Sequence, residues 1–264
     1  MVLSNVHREL NNHEIPIVLL RGLSREQAHW GDFVDQLQRA VSNPVLTLDL
    51  PGVGEARNED VPLRLQDMVK QLRERLAYKQ SGPYHLFAMS LGAMVAMAWA
   101  ADYPEEIASL ILINSSCAQL SPFYWRLKWQ NYPFIVQALF ANVSKREQLI
   151  LQLTANNIRQ LQERLQHWQQ IAISRPVRKA DVLKQLFAAS RFKLPPKPQC
   201  PTLLLASHAD RLVDWRSSQR IAALWQVPLQ LHHSAGHDLA LDAPKWLLEQ
   251  AQQFYTKLQG SAAT

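Results

Sequence analysis

Three side chains that could together perform nucleophilic catalysis follow buried, strand-like segments, in the order Ser, Asp, His. Ser90 ends the run YHLFAMS, Asp210 closes PTLLLASHAD, and His237 lies in SAGHDLALDAP after the next run. A serine hydroxyl is a weak nucleophile near neutral pH, so it needs a base, and the base needs an acid that orients it. The pattern predicts Ser90 as nucleophile, His237 as base and Asp210 as acid.

The turn around Ser90 has the small residues that a sharp strand-to-helix turn requires. Such a turn forces its central residue into a strained backbone conformation, and bulky neighbours would clash there. Ala88 and Gly92 are small, and the helix-like run LGAMVAMAWAADYP begins at Leu91. The N–H of Leu91 would therefore point toward a developing oxyanion. A buried serine with no chemical role is the alternative interpretation.

Other polar residues near these positions offer competing interpretations. Asp214 and Asp242 could act as the acid, as could Asp238, but their positions favour helix caps or salt links. His232 and His233 form an H-H-x3-H pattern with His237, yet no carboxylate or cysteine lies nearby at ligand spacing. We therefore predict no metal and no cofactor.

Strand-like apolar runs alternate with helix-like segments along most of the chain. The runs are 15–22, 44–52, 84–90, 108–116, 201–210 and the segment LQLHHSAGHD, 229–238. Strands that are apolar on both faces and alternate with helices are typical of a parallel sheet covered on both sides. The sequence predicts an α/β fold with a mostly parallel sheet of about six to seven strands. Ligands bind beyond the carboxyl ends of such strands, where the three candidate residues lie.

Residues 117–199 interrupt this alternation. They contain no comparable strand run, but they include a helical stripe of Ile158, Leu161, Leu165, Trp168 and Ala172. The proline-rich KLPPKPQCP leads back toward the sheet. We expect a core formed by residues 1–116 and 200–264, and a helical lid (cap) formed by residues 117–199.

The first part of this lid, SPFYWRLKWQNYPFIVQALF, is unusually aromatic. With Arg21, its side chains could line an apolar acyl pocket of the kind common in ligand sites; the candidates are Phe123, Tyr124, Trp125, Trp129, Tyr132 and Phe134. They could equally form the lid's own small core.

Charge is uneven along the chain. The net charge is +6, but residues 117–199 carry thirteen Lys or Arg and three Asp or Glu. This basic lid could be a solvated surface, a docking face for an acidic carrier protein or anionic substrate, or a contact for anionic lipid through residues 123–134. No nucleic-acid-binding module is recognisable, so we expect no nucleic-acid partner.

The cysteines and the N-terminus indicate a compartment. Cys117 and Cys200 have neither the number nor the spacing of a disulfide framework, and MVLSNVHRELNNHE lacks the apolar centre of a signal peptide. We expect a reducing, cytoplasmic setting.

Five segments, in order, resemble the motifs of the α/β-hydrolase family: RGLSREQAHW, DLPGVGEA, AMSLG, SHADRLV and GHDLALDAP. The resemblance covers nearly the whole chain. It implies the same roles for Ser90, Asp210 and His237, and it implies that the Leu23 N–H joins that of Leu91 in an oxyanion hole. The sequence departs from the family pattern at Arg21, where histidine is usual, at Ala88, which replaces the first elbow glycine, and at Ala56, which replaces a loop serine.

The expected function is a serine hydrolase that cleaves a carboxylic ester with a small or medium acyl chain through an acyl-enzyme. The lid organisation is weakly similar to that of methyl esterases acting on carrier-bound acyl chains. Two alternatives remain, because a fold does not fix chemistry. One is a C–C bond hydrolase or lyase with the same fold, and the other is a non-catalytic binding protein that retains the elbow.

Overall fold

The computed structural model describes residues 15–77, 82–157 and 161–261. Within them, six short apolar segments pair as one parallel sheet: β1 Ile17–Leu20, β2 Val45–Leu48, β3 Tyr84–Met89, β4 Ile107–Ile113, β5 Thr202–Ser207 and β6 Leu229–His232. The strand order is β2-β1-β3-β4-β5-β6, and every pair of neighbours is parallel. The predicted α/β architecture is confirmed.

Eleven α-helices accompany the sheet in the described residues. In chain order they are α1 Phe33–Ala40, α2 Leu65–Ala77, α3 Leu91–Asp102, α4 Phe123–Arg126, α5 Tyr132–Phe140, α6 Val143–Thr154, α7 Leu161–Ser174, α8 Lys179–Ser190, α9 Arg216–Trp225, α10 Leu239–Asp242 and α11 Pro244–Ser261. Short 3₁₀ turns cover Gln27–Trp30, Gly54–Ala56, Pro104–Glu106 and Trp129–Asn131.

The central strands are buried on both faces because helices pack on each side. In β1, Val18 and Leu20 face the cluster that includes residues of α2, α3 and α9. The alternate residues Ile17 and Leu19 face the cluster that includes residues of α1 and α11. Successive side chains of a strand point to opposite faces, so one apolar run serves both layers.

The segment between β4 and β5 is helical in its described parts, 117–157 and 161–199, and contributes α4 to α8. Trp168 and Ile171 of α7 are buried with Leu151 and Ala155 in a small cluster, against which Ala28 and Leu241 of the core also pack. Ile158, the first residue of the predicted stripe, lies outside the described residues. That this segment acts as a lid, and that 117–199 form a domain of their own, remain predictions.

Among the described residues, no helix is both long enough and apolar enough to cross a membrane. Cys117 and Cys200 are unpaired.

Candidate active site

Ser90 lies at the junction of β3 and α3 in a backbone conformation that few non-glycine residues adopt. Its φ is 56° and its ψ is −115°. Ser90 N donates to Ile113 O over 2.8 Å, which fixes the turn against the end of β4. A non-glycine residue at positive φ costs free energy and persists only where its surroundings impose it. The turn thus has the strained geometry expected around Ser90.

Gly92 explains how α3 begins so close to the sheet. A Cβ on Gly92 would lie 2.5 Å from Arg21 O and 2.7 Å from Leu20 O, closer than real Cβ contacts. Only glycine lets the first turn of α3 approach the end of β1 in this way. The small residue at this position was expected from the sequence, and the contact with β1 gives its physical reason.

The loop after β1 passes directly beside Ser90. A Cβ on Gly22 would lie 3.1 Å from Ser90 Cβ and 3.6 Å from Ser90 Oγ. Leu23, the next residue, lines the same cavity as Ser90. Because α3 begins at Leu91, the N–H of Leu91 is one of those that a helix leaves without an intrahelical acceptor. Both predicted oxyanion donors therefore lie in backbone segments adjoining Ser90.

Asp210 and His237 form a short, buried pair. His237 Nδ1 lies 2.6 Å from Asp210 Oδ2, and the two residues are 5% and 2% exposed. The other carboxylate oxygen of Asp210 accepts from the N–H groups of Leu212 and Val213 at 2.7 and 3.0 Å. A carboxylate that accepts from Nδ1 leaves Nε2 free to act as a base.

Ser90 and His237 line one cavity of about 190 Å³. The hydrogen bonds of the described residues do not include one between Ser90 Oγ and His237. Catalytic hydrogen bonds are often long in ligand-free structures and tighten around substrate. The structure thus joins Asp210 to His237 by a hydrogen bond, and Ser90 to His237 by a shared cavity.

Asn114, at the end of β4, connects the segments that carry these residues. Its Nδ2 donates to His237 O at 2.7 Å, and its Oδ1 accepts from Ser207 N, at the end of β5, at 2.9 Å. The residue is 2% exposed and has a φ of 49°. Asn114 was not predicted from the sequence, although it is a polar residue directly after a buried strand, at the edge of the sheet that carries the site.

Arg21 borders the cavity as predicted, but its guanidinium is engaged elsewhere. It lies 2.5 Å from Asp238 Oδ2 and 4.6 Å from the centre of the Trp30 ring. Asp238 also caps α10 by accepting from Leu241 N. Arg21 therefore ties the loop after β1 to the residue that follows His237.

The prediction that the aromatic residues line the pocket is wrong, since none of the six borders the cavity: Phe123, Tyr124, Trp125, Trp129, Tyr132 and Phe134. All of them except Trp125 are exposed. Trp125 is covered by the Arg216 and Arg220 guanidinium groups, 4.2 and 4.3 Å from its ring centre. The reason is that α4 packs against α9, on the outside of the molecule.

The apolar wall of the cavity comes instead from later helices of the inserted segment. Its members are Ile135, Ala138 and Leu139 of α5, Ile150 and Leu153 of α6, Trp168, Ile171 and Ala172 of α7, and Val182, Leu183 and Leu186 of α8. Every third or fourth residue of YPFIVQALF faces the cavity, a periodicity visible in the sequence but obscured by the aromatic residues before it.

A charged network forms another part of the wall. Arg25 Nη1 lies 2.6 Å from Glu147 Oε2, and Arg175 Nη2 lies 2.6 Å from Glu26 Oε1. Burial raises the pKa of Glu26 to about 7; Arg175 opposes this shift and Asp49 adds to it. Burial, with help from Arg25, keeps the pKa of His29 well below 6.5. These pairs join the loop after β1 to α6 and to the end of α7.

The competing carboxylates are engaged in hydrogen bonds and ion pairs away from Ser90. Asp214 pairs with Arg216 at 2.7 Å. Asp242 accepts from Gly236 N and from Asn156 N, each at 2.6 Å, so it holds the loop of His237 against the inserted segment. His232 Nδ1 accepts from Ala235 N. Residues 15–77, 82–157 and 161–261 contain no cluster of three or more side chains that could hold a metal ion.

Comparison with known proteins agrees with this architecture. The model of the "Alpha/beta hydrolase family" matches residues 17–250. Two solved structures share the fold. A thermophilic esterase from Thermogutta terrifontis has a TM-score of 0.74 and 19% identity, and its match covers 93% of this chain and 90% of the esterase chain. A putative lipase from Acinetobacter baumannii AYE, with a TM-score of 0.72 and 22% identity, covers 94% and 85%. The chain belongs to the alpha/beta hydrolase family.

Two curated relatives show more limited sequence similarity. Monoacylglycerol lipase ABHD6 of Homo sapiens is 25% identical over 251 residues, which cover 88% of this chain and 73% of the relative. Pimeloyl-[acyl-carrier protein] methyl ester esterase of Nitrosomonas europaea is 29% identical over 114 residues, which cover 43% and 42%. This chain thus matches about two fifths of the length of the Nitrosomonas esterase. Its match to monoacylglycerol lipase ABHD6 of Mus musculus covers 36% of that relative.

Proposed function

We propose that the protein is a serine hydrolase that cleaves carboxylic esters of small or medium acyl chains through an acyl-enzyme. The family, together with relatives named as an esterase and lipases, supports hydrolysis of ester bonds. One observation carries the finer proposal. The buried Asp210–His237 pair, with 2.6 Å between its nearest atoms, borders the same cavity as a serine held at positive φ.

In the first half of the reaction, His237 Nε2 takes the proton of Ser90 as Oγ bonds to the ester carbonyl carbon. Asp210 holds the imidazole through Nδ1 and stabilises its charged form. The carbonyl oxygen becomes an oxyanion, which the N–H groups of Leu23 and Leu91 stabilise. Each such donor is worth about 3 kcal/mol of barrier in a comparable site. The C–O bond to the alcohol then breaks, and the alcohol leaves with the proton from His237.

In the second half, water attacks the acyl-enzyme carbonyl while His237 Nε2 takes one of its protons. The bond to Ser90 Oγ breaks, the serine regains a proton from His237, and the carboxylic acid leaves. The apolar residues of α5 to α8 favour an acyl chain over a polar acid part. Relatives that act on a monoacylglycerol and on a carrier-bound methyl ester differ in the alcohol, so we assign none.

A p-nitrophenyl butyrate assay tests this proposal. The parent should release p-nitrophenol and butyrate in equal amounts, and Ser90→Ala should lose turnover while keeping its thermal unfolding temperature. Removing one member of such a triad costs about 10⁴-fold or more in kcat. Turnover that survives Ser90→Ala would refute the assignment. So would a parent that does not hydrolyse the ester but cleaves a C–C bond of a vinylogous β-diketone.

A further inference from the structure

Helix α5 is apolar almost all round, yet it contains no buried residue. Its Ile135, Ala138 and Leu139 side chains line the cavity, while Tyr132, Val136 and Phe140 point outward at a spacing of four residues. Phe140 is 80% exposed and Val136 is 54% exposed. A helix that is hydrophobic on every side is normally covered on every side. The outer side of α5 therefore lacks a cover in the described chain.

Helix α8 extends this surface with the same spacing. Lys179, Leu183, Phe187 and Arg191 follow one another at intervals of four residues, and all four are exposed. Lys179 Nζ lies 5.5 Å from the centre of the Phe140 ring, and Arg191 Cζ lies 5.3 Å from that of Phe187. The apolar side chains are thus framed by a cation at each end.

A contact between their ends joins the two helices. Lys179, the first residue of α8, lies over the ring of Phe140, the last residue of α5. The other end of α8 is held by Arg126 of α4, which donates to the carbonyl oxygens of Ser190 and Ala189. We call the surface formed by Tyr132, Val136, Phe140, Leu183 and Phe187, with Lys179 and Arg191, the α5–α8 face.

The α5–α8 face is continuous with the cavity of Ser90. Leu183 is 51% exposed and also lines the cavity, and Lys179 lines it as well. A ligand that covered the face would therefore lie at the cavity's edge.

We propose that the α5–α8 face docks on a lipid surface with anionic headgroups. Exposed aromatic and aliphatic side chains of such a face enter the boundary between headgroups and acyl chains, while the cations stay with the headgroups. A second copy of the chain is a poorer occupant, since its inserted segment carries the same excess of positive charge. The two cations lie at the ends of the face and its centre is apolar, an arrangement that suits charged headgroups over acyl chains; an acidic protein is the alternative that the test separates.

Docking would hold the mouth of the cavity against the lipid layer, whose acyl esters could then reach Ser90. This consequence of docking rests on the proposed function. Binding itself does not, so it can be measured with the Ser90→Ala chain. Failure to bind lipid and failure to hydrolyse esters are then separate results.

The test is co-sedimentation of the Ser90→Ala chain with phosphatidylcholine vesicles, with or without phosphatidylglycerol. We expect binding to the anionic vesicles that weakens with added salt. In the apolar variant, Phe140→Gln with Phe187→Gln, affinity should fall at least about tenfold. The matched control is Leu63→Gln with Leu224→Gln, two exposed leucines elsewhere that are 51% and 61% exposed. This control should bind like its parent.

A second pair of variants tests the cations. Lys179→Gln with Arg191→Gln should weaken binding by about fivefold for each cation removed. Arg39→Gln with Lys245→Gln, on the exposed surfaces of α1 and α11, should not. Equal binding by the face variants and their controls would overturn the proposal. So would absence of vesicle binding, whether or not the chain is retained by an immobilised acidic acyl carrier protein.

Discussion

Asn114 has a role that can be separated from those of Ser90, Asp210 and His237. Its side chain joins the main chain at His237 to the end of the strand that precedes Asp210, and it does not line the cavity. We regard it as a positioning residue, which acts by holding the imidazole in register with the acid.

Asn114→Gly tests this role without adding backbone strain, since glycine tolerates the φ of 49°. Loss of two hydrogen bonds, each worth about 1 kcal/mol, should lower kcat about tenfold while leaving KM nearly unchanged. Kinetics with p-nitrophenyl butyrate provide the measurement.

Gln226→Gly is the matched control for Asn114→Gly. Gln226 has a φ of 52° and lies exposed at the end of α9, so the same substitution changes chain flexibility alone. A parallel loss of kcat in both variants, or a change confined to unfolding temperature, would mean that Asn114 is structural only.

Among individual residues, the sequence predicted the catalytic candidates that lie in a recognisable local pattern. Ser90 lies between small residues at a strand end, and Asp210 and His237 follow strands of the same sheet. Arg21 with Asp238, and Asn114 with Ser207, are pairs between residues far apart in the chain. Nothing in one sequence specifies which distant polar group each would meet.

Among the elements, α5 rather than α4 borders the cavity. The aromatic residues predicted for the pocket lie on α4, on the turn after it, or on a side of α5 that does not line the cavity. The side of a short amphipathic helix that faces inward depends on its packing partner, and α4 packs on α9. By contrast, the strands were predictable because runs buried on both faces have a composition that surface segments lack.

Ala138→Trp tests the contribution of α5 to the acyl pocket. The added ring would occupy the cavity, so turnover of p-nitrophenyl octanoate should fall about tenfold or more relative to acetate. Gln137→Trp is the control, since Gln137 is exposed on the same helix and does not line the cavity. An unchanged octanoate-to-acetate ratio in Ala138→Trp would remove α5 from the acyl site.

On the scale of the whole molecule, two ion pairs hold the inserted segment to the core. Arg25 pairs with Glu147 and Glu26 with Arg175, so adjacent core residues contact separate helical elements. Buried pairs of this kind are costly to break singly, because one charge is left uncompensated. They fix the segment next to the loop that carries Leu23.

The raised pKa of Glu26 makes this junction pH-dependent. Its pKa rises from 4.5 to about 7 on folding, so the folded chain retains a proton that the unfolded chain has lost. Its contribution to stability is full below the unfolded value and is lost as pH rises through about 7. The loss is up to about 3 kcal/mol, at 1.4 kcal/mol per pH unit.

Urea unfolding between about pH 5 and pH 8 should therefore show a decline in the free energy of unfolding that Glu26→Gln flattens. Glu249→Gln, which changes an exposed carboxyl on α11, should keep the parent slope. A parent and Glu26→Gln variant with the same slope would contradict the assignment of this proton to Glu26.

The central claim is that Ser90 is an activated nucleophile with a formed oxyanion hole. Intact-mass analysis after brief exposure to a fluorophosphonate tests it most directly, with Ser90→Ala alongside. We expect one adduct on the parent and none on the variant. A folded parent that stays unlabelled, or a variant that is labelled equally, would contradict the claim.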